Sequence, residues 1–160
     1  MSAAAIDTTK VEGRRKLHFT SLEDIGADVE QLARGPVRNL GNWTSGQVLK
    51  HLALVMNYSI DGFPTRAPFY LRILGKLLKK RILTKGMTPG FQLPNKDARN
   101  LVPGATTWEE GLAAFRTALK RMQKEPKRAP HGFFGHLTHD EYIRLHCRHS
   151  ELHLSFLVPG

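Results

Sequence analysis

Residues 138–157, THDEYIRLHCRHSELHLSFL, decide how this chain is read. Thr138 followed three places later by Glu141 is the capping-box signature of a helix start, and no Gly or Pro interrupts the chain until Pro159. The spacing predicts roughly five turns of helix. At about 100° per residue, Tyr142, Leu145, His146, His149, Leu152, His153, Phe156 and Leu157 share one face, which should point into a core. His149 and His153 lie four apart, so their rings lean from adjacent turns toward one point. That is a spacing at which two imidazoles can hold one metal ion.

Two ligands do not close such a site, because zinc-like ions take at least three from the protein. His146 is a poor third ligand for the same ion, since its separation from His153 is about 10 Å along the axis. A third ligand is therefore expected from another helix. Thr44 and Gln47 form a second capping box, opening a predicted helix that runs to about Asp61 before Gly62 and Pro64. Thr44, Gln47, Val48, His51, Val55 and Tyr58 fall on one face of it, widened by Leu52 and Met56, so His51 faces inward. It is the natural third ligand.

The remaining chain also reads as helix. Ser21 with Asp24 caps a segment to about Arg34, with Leu22, Ile25, Val29 and Leu32 at helical spacing; Gly35 and Pro36 stop it. A third main helix is expected over 68–84, with Leu71, Leu74, Leu78 and Ile82 as its apolar stripe against Arg72, Lys76, Lys79, Lys80 and Lys85. Packing of that stripe into the domain is favoured over a membrane-surface role. Residues 86–105, rich in Gly, Pro and Asn, read as a long connection. Thr106 with Glu109 opens a further helix to about Glu125, carrying Trp108, Leu112, Phe115, Leu119 and Met122 inward. No strand-length alternation and no internal repeat stand out. The expected architecture is all-α: a four-helix bundle preceded by a leading helix, with residues 1–13 a loose or disordered tail and 14–160 one domain.

Composition bounds the function. A chain of 160 residues with 41% hydrophobic and 24% charged residues has the makeup of one globular domain. The single cysteine, Cys147, rules out an intrachain disulfide and fits a reducing cytoplasm. No segment approaches a transmembrane helix, and the N-terminus lacks the apolar core of a secretory signal. The formal charge of +10 would suit a nucleic acid or anionic membrane, but no nucleic-acid motif accompanies it, so a solvated basic surface is preferred to polyanion binding. The glycine spacing of GNWTSGQ has Gln47 where a phosphate loop needs lysine, and there is no His-Glu-x-x-His, Glu-x-x-His or nucleophile elbow.

The stretches LGNWTSGQVLKHLA, YSIDGFP, HGFFGHLTHDEY and RHSELHLSFL together resemble the DinB-like (YfiT-like) superfamily of metal-site four-helix bundles, in a branch catalogued as a domain of unknown function. The resemblance covers most of the chain and implies a metal site made of one histidine on the second helix and a His-x-x-x-His pair on the last: His51, His149 and His153. Where that branch commonly ends His-His-Leu-Arg-Gln-Phe, this chain has Leu152-His153-Leu154-Ser155-Phe156, with one histidine and two polar residues absent. An ion on three imidazoles keeps a position for a water, whose pKa falls toward about 7, or for a thiolate it activates as nucleophile. Zinc or nickel is the first expectation; iron and manganese also accept imidazole. The resemblance implies a transferase or hydrolase acting on a small molecule, with a low-molecular-weight thiol as cosubstrate, and a homodimer fits bundles of this kind.

Each residue has a plainer rival. A lone inward histidine is ordinarily a core residue, and a non-catalytic ligand- or metal-binding bundle is the alternative for the whole chain. His146, Gln47, Tyr58 and Tyr142 point toward the same region, as support for the ligands or as substrate contacts, though core packing also accounts for the tyrosines. His131, His136 and His139 sit in or beside a turn where a solvated loop explains them. Arg148 and Glu151 are expected on the surface, and Cys147 points away from the site.

Overall fold

Four of the five α-helices among the described residues begin at a side chain that folds back onto the backbone. The computed structural model describes residues 5–90 and 100–160. In chain order the elements are a 3-10 turn Thr8–Lys10, α1 Leu22–Leu32, β1 Val37–Asn39, α2 Ser45–Asp61, α3 Phe69–Lys85, α4 Trp108–Lys124, α5 His139–Leu154 and β2 Leu157–Pro159. Reciprocal capping boxes form at Ser21/Asp24, Thr44/Gln47, Thr107/Glu110 and Thr138/Glu141, each satisfying backbone donors that the first turn cannot pair internally. The α4 box lies one residue beyond the expected Thr106/Glu109. The run TTWEE contains both pairings, and the later one leaves the Thr106 carbonyl free to accept from Thr44 Oγ1 at 3.3 Å.

The fold is mostly helical, with two short strands that the sequence reading did not anticipate. They pair antiparallel, Val37 with Pro159, Arg38 with Val158 and Asn39 with Leu157. Three residues per strand are too few for a period-2 pattern to register. The pairing also corrects the far end of α5, expected to run to Leu157. Ser155 is the C-cap, its N–H donating to the Glu151 carbonyl, and Leu157 turns into β2. Arg15 fastens this end by donating to the carbonyls of Leu154 and Leu157 while gripping Asp28 of α1 with two hydrogen bonds of 2.6 and 2.8 Å.

The main core is shared by α1, α2 and α4 and closed by Cys147, Leu154 and Leu157, with Ile25, Val29, Leu49, Met56, Ala118 and Leu154 all fully buried. Close approach of α2 to α4 depends on glycine. A Cβ on Gly111 would stand 2.4 Å from the Gly46 carbonyl oxygen, and one on Gly46 would stand 2.2 Å from that of Thr107. α5 lies against α1, α2 and α3, which explains why Cys147, Arg148 and Ser150 are buried beside the apolar positions.

Two surface expectations are overturned by this packing. Arg148, expected at the surface, is 8% exposed and donates to the Phe19 carbonyl and to Glu151 at 2.6 Å. Glu151 in turn accepts from the Phe19 N–H, so the pair stitches the lead-in segment, residues 14–19 ahead of α1, to α5. α3 departs in the opposite sense: Leu74, placed on its inner stripe, is 43% exposed, and the residues it buries are Gly75 and Leu83. Leu83 packs with Phe134 and Leu145 in a small cluster separate from the main core. Of the expected connection over 86–105, residues 91–99 lie outside the described residues. In the segment expected as a tail, Ile6 exchanges two backbone hydrogen bonds with the Asn42 amide.

Candidate metal centre

α2 and α5 bring His51, His149 and His153 together: each offers one ring nitrogen, and these atoms all lie within 4.8 Å of one another. His51 stands midway along α2 on the face turned to α5, and the His149/His153 pair comes from successive turns. The Nε2 atoms of His51 and His149 are 3.1 Å apart. Two nitrogens bound to one tetrahedral ion at about 2.0–2.1 Å stand roughly 3.3 Å apart, so this pair already has the needed separation. Ring centroids of the three imidazoles lie 4.5–4.9 Å from one another, with planes inclined by 58–78°. The set is all imidazole. Its neutral ligands would leave the full charge of a divalent ion available to polarise a further ligand.

The tautomer of His51 follows from its partner. Its Nδ1 is 2.7 Å from the Leu101 carbonyl, which can only accept, so Nδ1 carries the proton and the Nε2 lone pair faces His149. A backbone carbonyl on the far nitrogen is the usual support of a metal-binding histidine. His149 Nδ1 is buried with no hydrogen-bond partner among the described residues. Burial pushes the His51 pKa down to about 4 despite the opposing carbonyl. His149 and His153 are half-buried as residues, yet desolvation of the rings, then the neighbouring histidines, holds both well below 6.5. All three are therefore neutral at pH 7, the form that binds a metal.

Three neighbours shape the centre without a signal that sequence spacing could reveal. Trp43, just ahead of α2, stacks on His153 with 3° between planes at 5.5 Å and tilts against His51 at 4.9 Å. Arg14 lies 4.2 Å over the Phe156 ring, donates to Ser155 Oγ at 2.7 and 3.0 Å, and adds positive charge that further lowers the His153 pKa. Leu101 contributes only its carbonyl, which no side-chain pattern announces.

The remaining candidates are distributed differently. Gln47 spends its amide on the α2 cap and on the carbonyls of Pro103 and Gly104, at 3.1 and 3.3 Å. It thus holds the segment that delivers the Leu101 carbonyl. Tyr58 donates weakly to the Asn100 carbonyl at 3.4 Å and packs on Phe63. His146 and Tyr142 belong to a second buried polar group nearer the start of α5. His146 Nε2 is 2.9 Å from Ser59 Oγ, its ring stacks on Tyr142, and desolvation takes its pKa to about 3. The Tyr142 hydroxyl donates to the Ala129 carbonyl at 2.5 Å.

His131 joins that group, which corrects its reading as a solvated loop residue. Its ring packs among Phe63, Phe134 and Tyr142, its Nδ1 accepts from the Phe133 and Phe134 N–H groups, and burial lowers its pKa to about 4. The GFFG turn that follows wraps it. His136 and His139 are exposed, as a turn predicts. Cys147 is buried, its Sγ directed at the Ser21 carbonyl and its pKa raised by burial to about 11, so it holds no reactive thiolate.

No curated protein and no solved structure matches this chain. A family model described as "Protein of unknown function (DUF1569)" matches residues 11–160, which takes in every residue of the histidine centre and both helices that build it. The chain belongs to the DUF1569 family.

Proposed function

We propose that this protein is a divalent-metal enzyme of the DinB-like, YfiT-like bundle type, with His51, His149 and His153 as ligands and a small-molecule substrate. The observation that carries the reading is the convergence of three neutral imidazole nitrogens within 4.8 Å from two helices, one of them fixed by the Leu101 carbonyl. A divalent ion held there supplies a Lewis acid that lowers the pKa of the oxygen or sulfur group it binds, which suits transfer or hydrolysis. Zinc or nickel fits the all-nitrogen set best.

The chain's own residues do the rest of the work in this reading. Leu101 orients the His51 ring, and Gln47 holds the loop that carries Leu101. Trp43 excludes water from one side of His153. Arg14, pinned by Ser155, sets a fixed positive charge beside the ligand pair and favours an anionic substrate or the thiolate of a small thiol. The single, reduced cysteine accords with a cytoplasmic setting where such thiols are abundant.

The second reading, a non-catalytic bundle holding its ion structurally, draws on the flat Trp43–His153 stack, which closes part of the centre. Metal-loaded protein separates the two. Exchange-labile ligand binding at the ion, with turnover of acyl- or thiol-transfer substrates that is lost on chelation, supports the enzyme. Stoichiometric metal whose spectrum ignores azide, cyanide and small thiols contradicts it.

A further inference from the structure

Along α3 an apolar face stands free of the protein's own core. Phe69, Tyr70, Ile73, Leu74 and Leu77 are 74, 60, 54, 43 and 75% exposed. At helical spacing they fill one sector over the first half of the helix, and Lys80, Arg81 and Thr84 continue the same sector over the second half. α3 contains Arg72, Lys76, Lys79, Lys80, Arg81 and Lys85 and no Asp or Glu. Lys79 is taken by Glu141 at 2.6 Å. Lys76, Lys80, Arg81 and Lys85 are exposed, with no carboxylate within salt-bridge distance among the described residues. The opposite side is fixed, Gly75 against the Phe133 carbonyl and Leu83 in the small cluster with Phe134 and Leu145. The helix is therefore held with this face outward.

We propose that α3 docks the protein on an anionic lipid surface, its aromatic and aliphatic half entering the headgroup boundary and its basic half lying against the acidic headgroups. Exposed apolar side chains and unpaired Lys and Arg on the same side of a helix supply the two contributions that hold a segment in the interface plane, buried apolar area and attraction to anionic headgroups. Phe69 and Tyr70 are residue types that favour that depth. Charge complementarity selects the occupant. A second copy carries the same +10: a two-fold axis that pairs α3 antiparallel with itself sets the apolar half of one copy on the basic half of the other, and one that pairs it parallel sets the two basic halves together. A nucleic-acid duplex would satisfy the cations but leave five exposed apolar side chains without a use. No helix among the described residues is long and apolar enough to cross a membrane, so the contact is peripheral. The inference is independent of the metal centre.

Flotation of the full chain with phosphatidylcholine vesicles, alone or mixed with phosphatidylglycerol, tests it. Binding is expected only to the anionic vesicles and should weaken as salt rises. Replacing three cations (Lys76→Gln, Lys80→Gln, Arg81→Gln) should lower partitioning about a hundredfold, at roughly fivefold per charge. The double variant Ile73→Ser/Leu77→Ser should lower it at least about tenfold with an unchanged helical circular dichroism spectrum, since both side chains are exposed. Failure to float with anionic vesicles overturns the proposal. So does a dimer that dissociates in the Leu77→Ser variant, or duplex DNA binding that the Ile73→Ser/Leu77→Ser variant leaves intact while flotation is absent.

Discussion

α5 and α3 are helices of similar length, 16 and 17 residues, and both show apolar positions at helical spacing, yet their fates are opposite. α5 is covered by α1, α2, α3 and the lead-in segment, so that even Arg148 and Ser150 are buried; α3 buries only Gly75 and Leu83. Periodicity states which side of a helix is apolar, not whether anything in the chain covers that side. α5 is surrounded because its end is fastened by Arg15 and by β2, and its start by the Thr138/Glu141 cap. α3 has a proline for an N-cap, no side-chain cap hydrogen bond and few neighbours. Buried chemistry can be built only on the first kind of helix, and the histidine centre sits there.

The sharpest way to break this contrast is a matched pair of truncations. Leu154→Ala, at a fully buried position in α5, should cost about 2–5 kcal/mol in urea or thermal unfolding. Leu77→Ala, 75% exposed in α3, should change stability by less than about 0.5 kcal/mol. Equal losses would mean that α3 is covered after all.

A smaller effect tests the packing that presents His51 to α5. Gly111→Ala drives a methyl into the Gly46 backbone and should cost about 1–3 kcal/mol, because α2 and α4 must part. His51 rides on α2, so the same variant should also weaken metal binding. A variant with native stability would show that the two helices have room to spare.

A pH-dependent effect concerns the second polar group on the α5 side. His131 and His146 have pKa values lowered to about 4 and about 3 by burial, against 6.5 in the unfolded chain. Between those values and 6.5 the unfolded state binds more protons, so stability should be full above about pH 6.5 and fall as pH drops toward 4. Denaturant titrations of chelator-treated protein between about pH 4.5 and 7.5 check this; the lowered pKa values of His51, His149 and His153 add to the same slope, and His131→Phe should remove only the share of its own ring. A flat profile would mean these rings meet water.

Much of the fold was readable because helix starts have local chemistry. Ser21/Asp24, Thr44/Gln47 and Thr138/Glu141 all cap as their spacing predicts. The α4 start slipped by one because two Thr/Glu pairs overlap, and only the neighbouring α2 backbone chooses between them. Convergence of His51 on the His149/His153 pair was legible from an i, i+4 spacing and one inward histidine. Trp43, Arg14 and the Leu101 carbonyl were not, since each arrives from a segment with no periodic signal. Burial of Arg148 and His131 was hidden for a related reason. Their partners, the Phe19 carbonyl and the Phe133 and Phe134 amides, are backbone groups that composition does not advertise.

X-ray absorption at the edge of the bound metal tests the central claim most directly. Protein loaded with zinc or nickel should show three imidazoles at about 2.0–2.1 Å, falling to two in His149→Ala with affinity reduced more than about a hundredfold. An oxygen-dominated shell, or a spectrum that His149→Ala leaves unchanged, would contradict it.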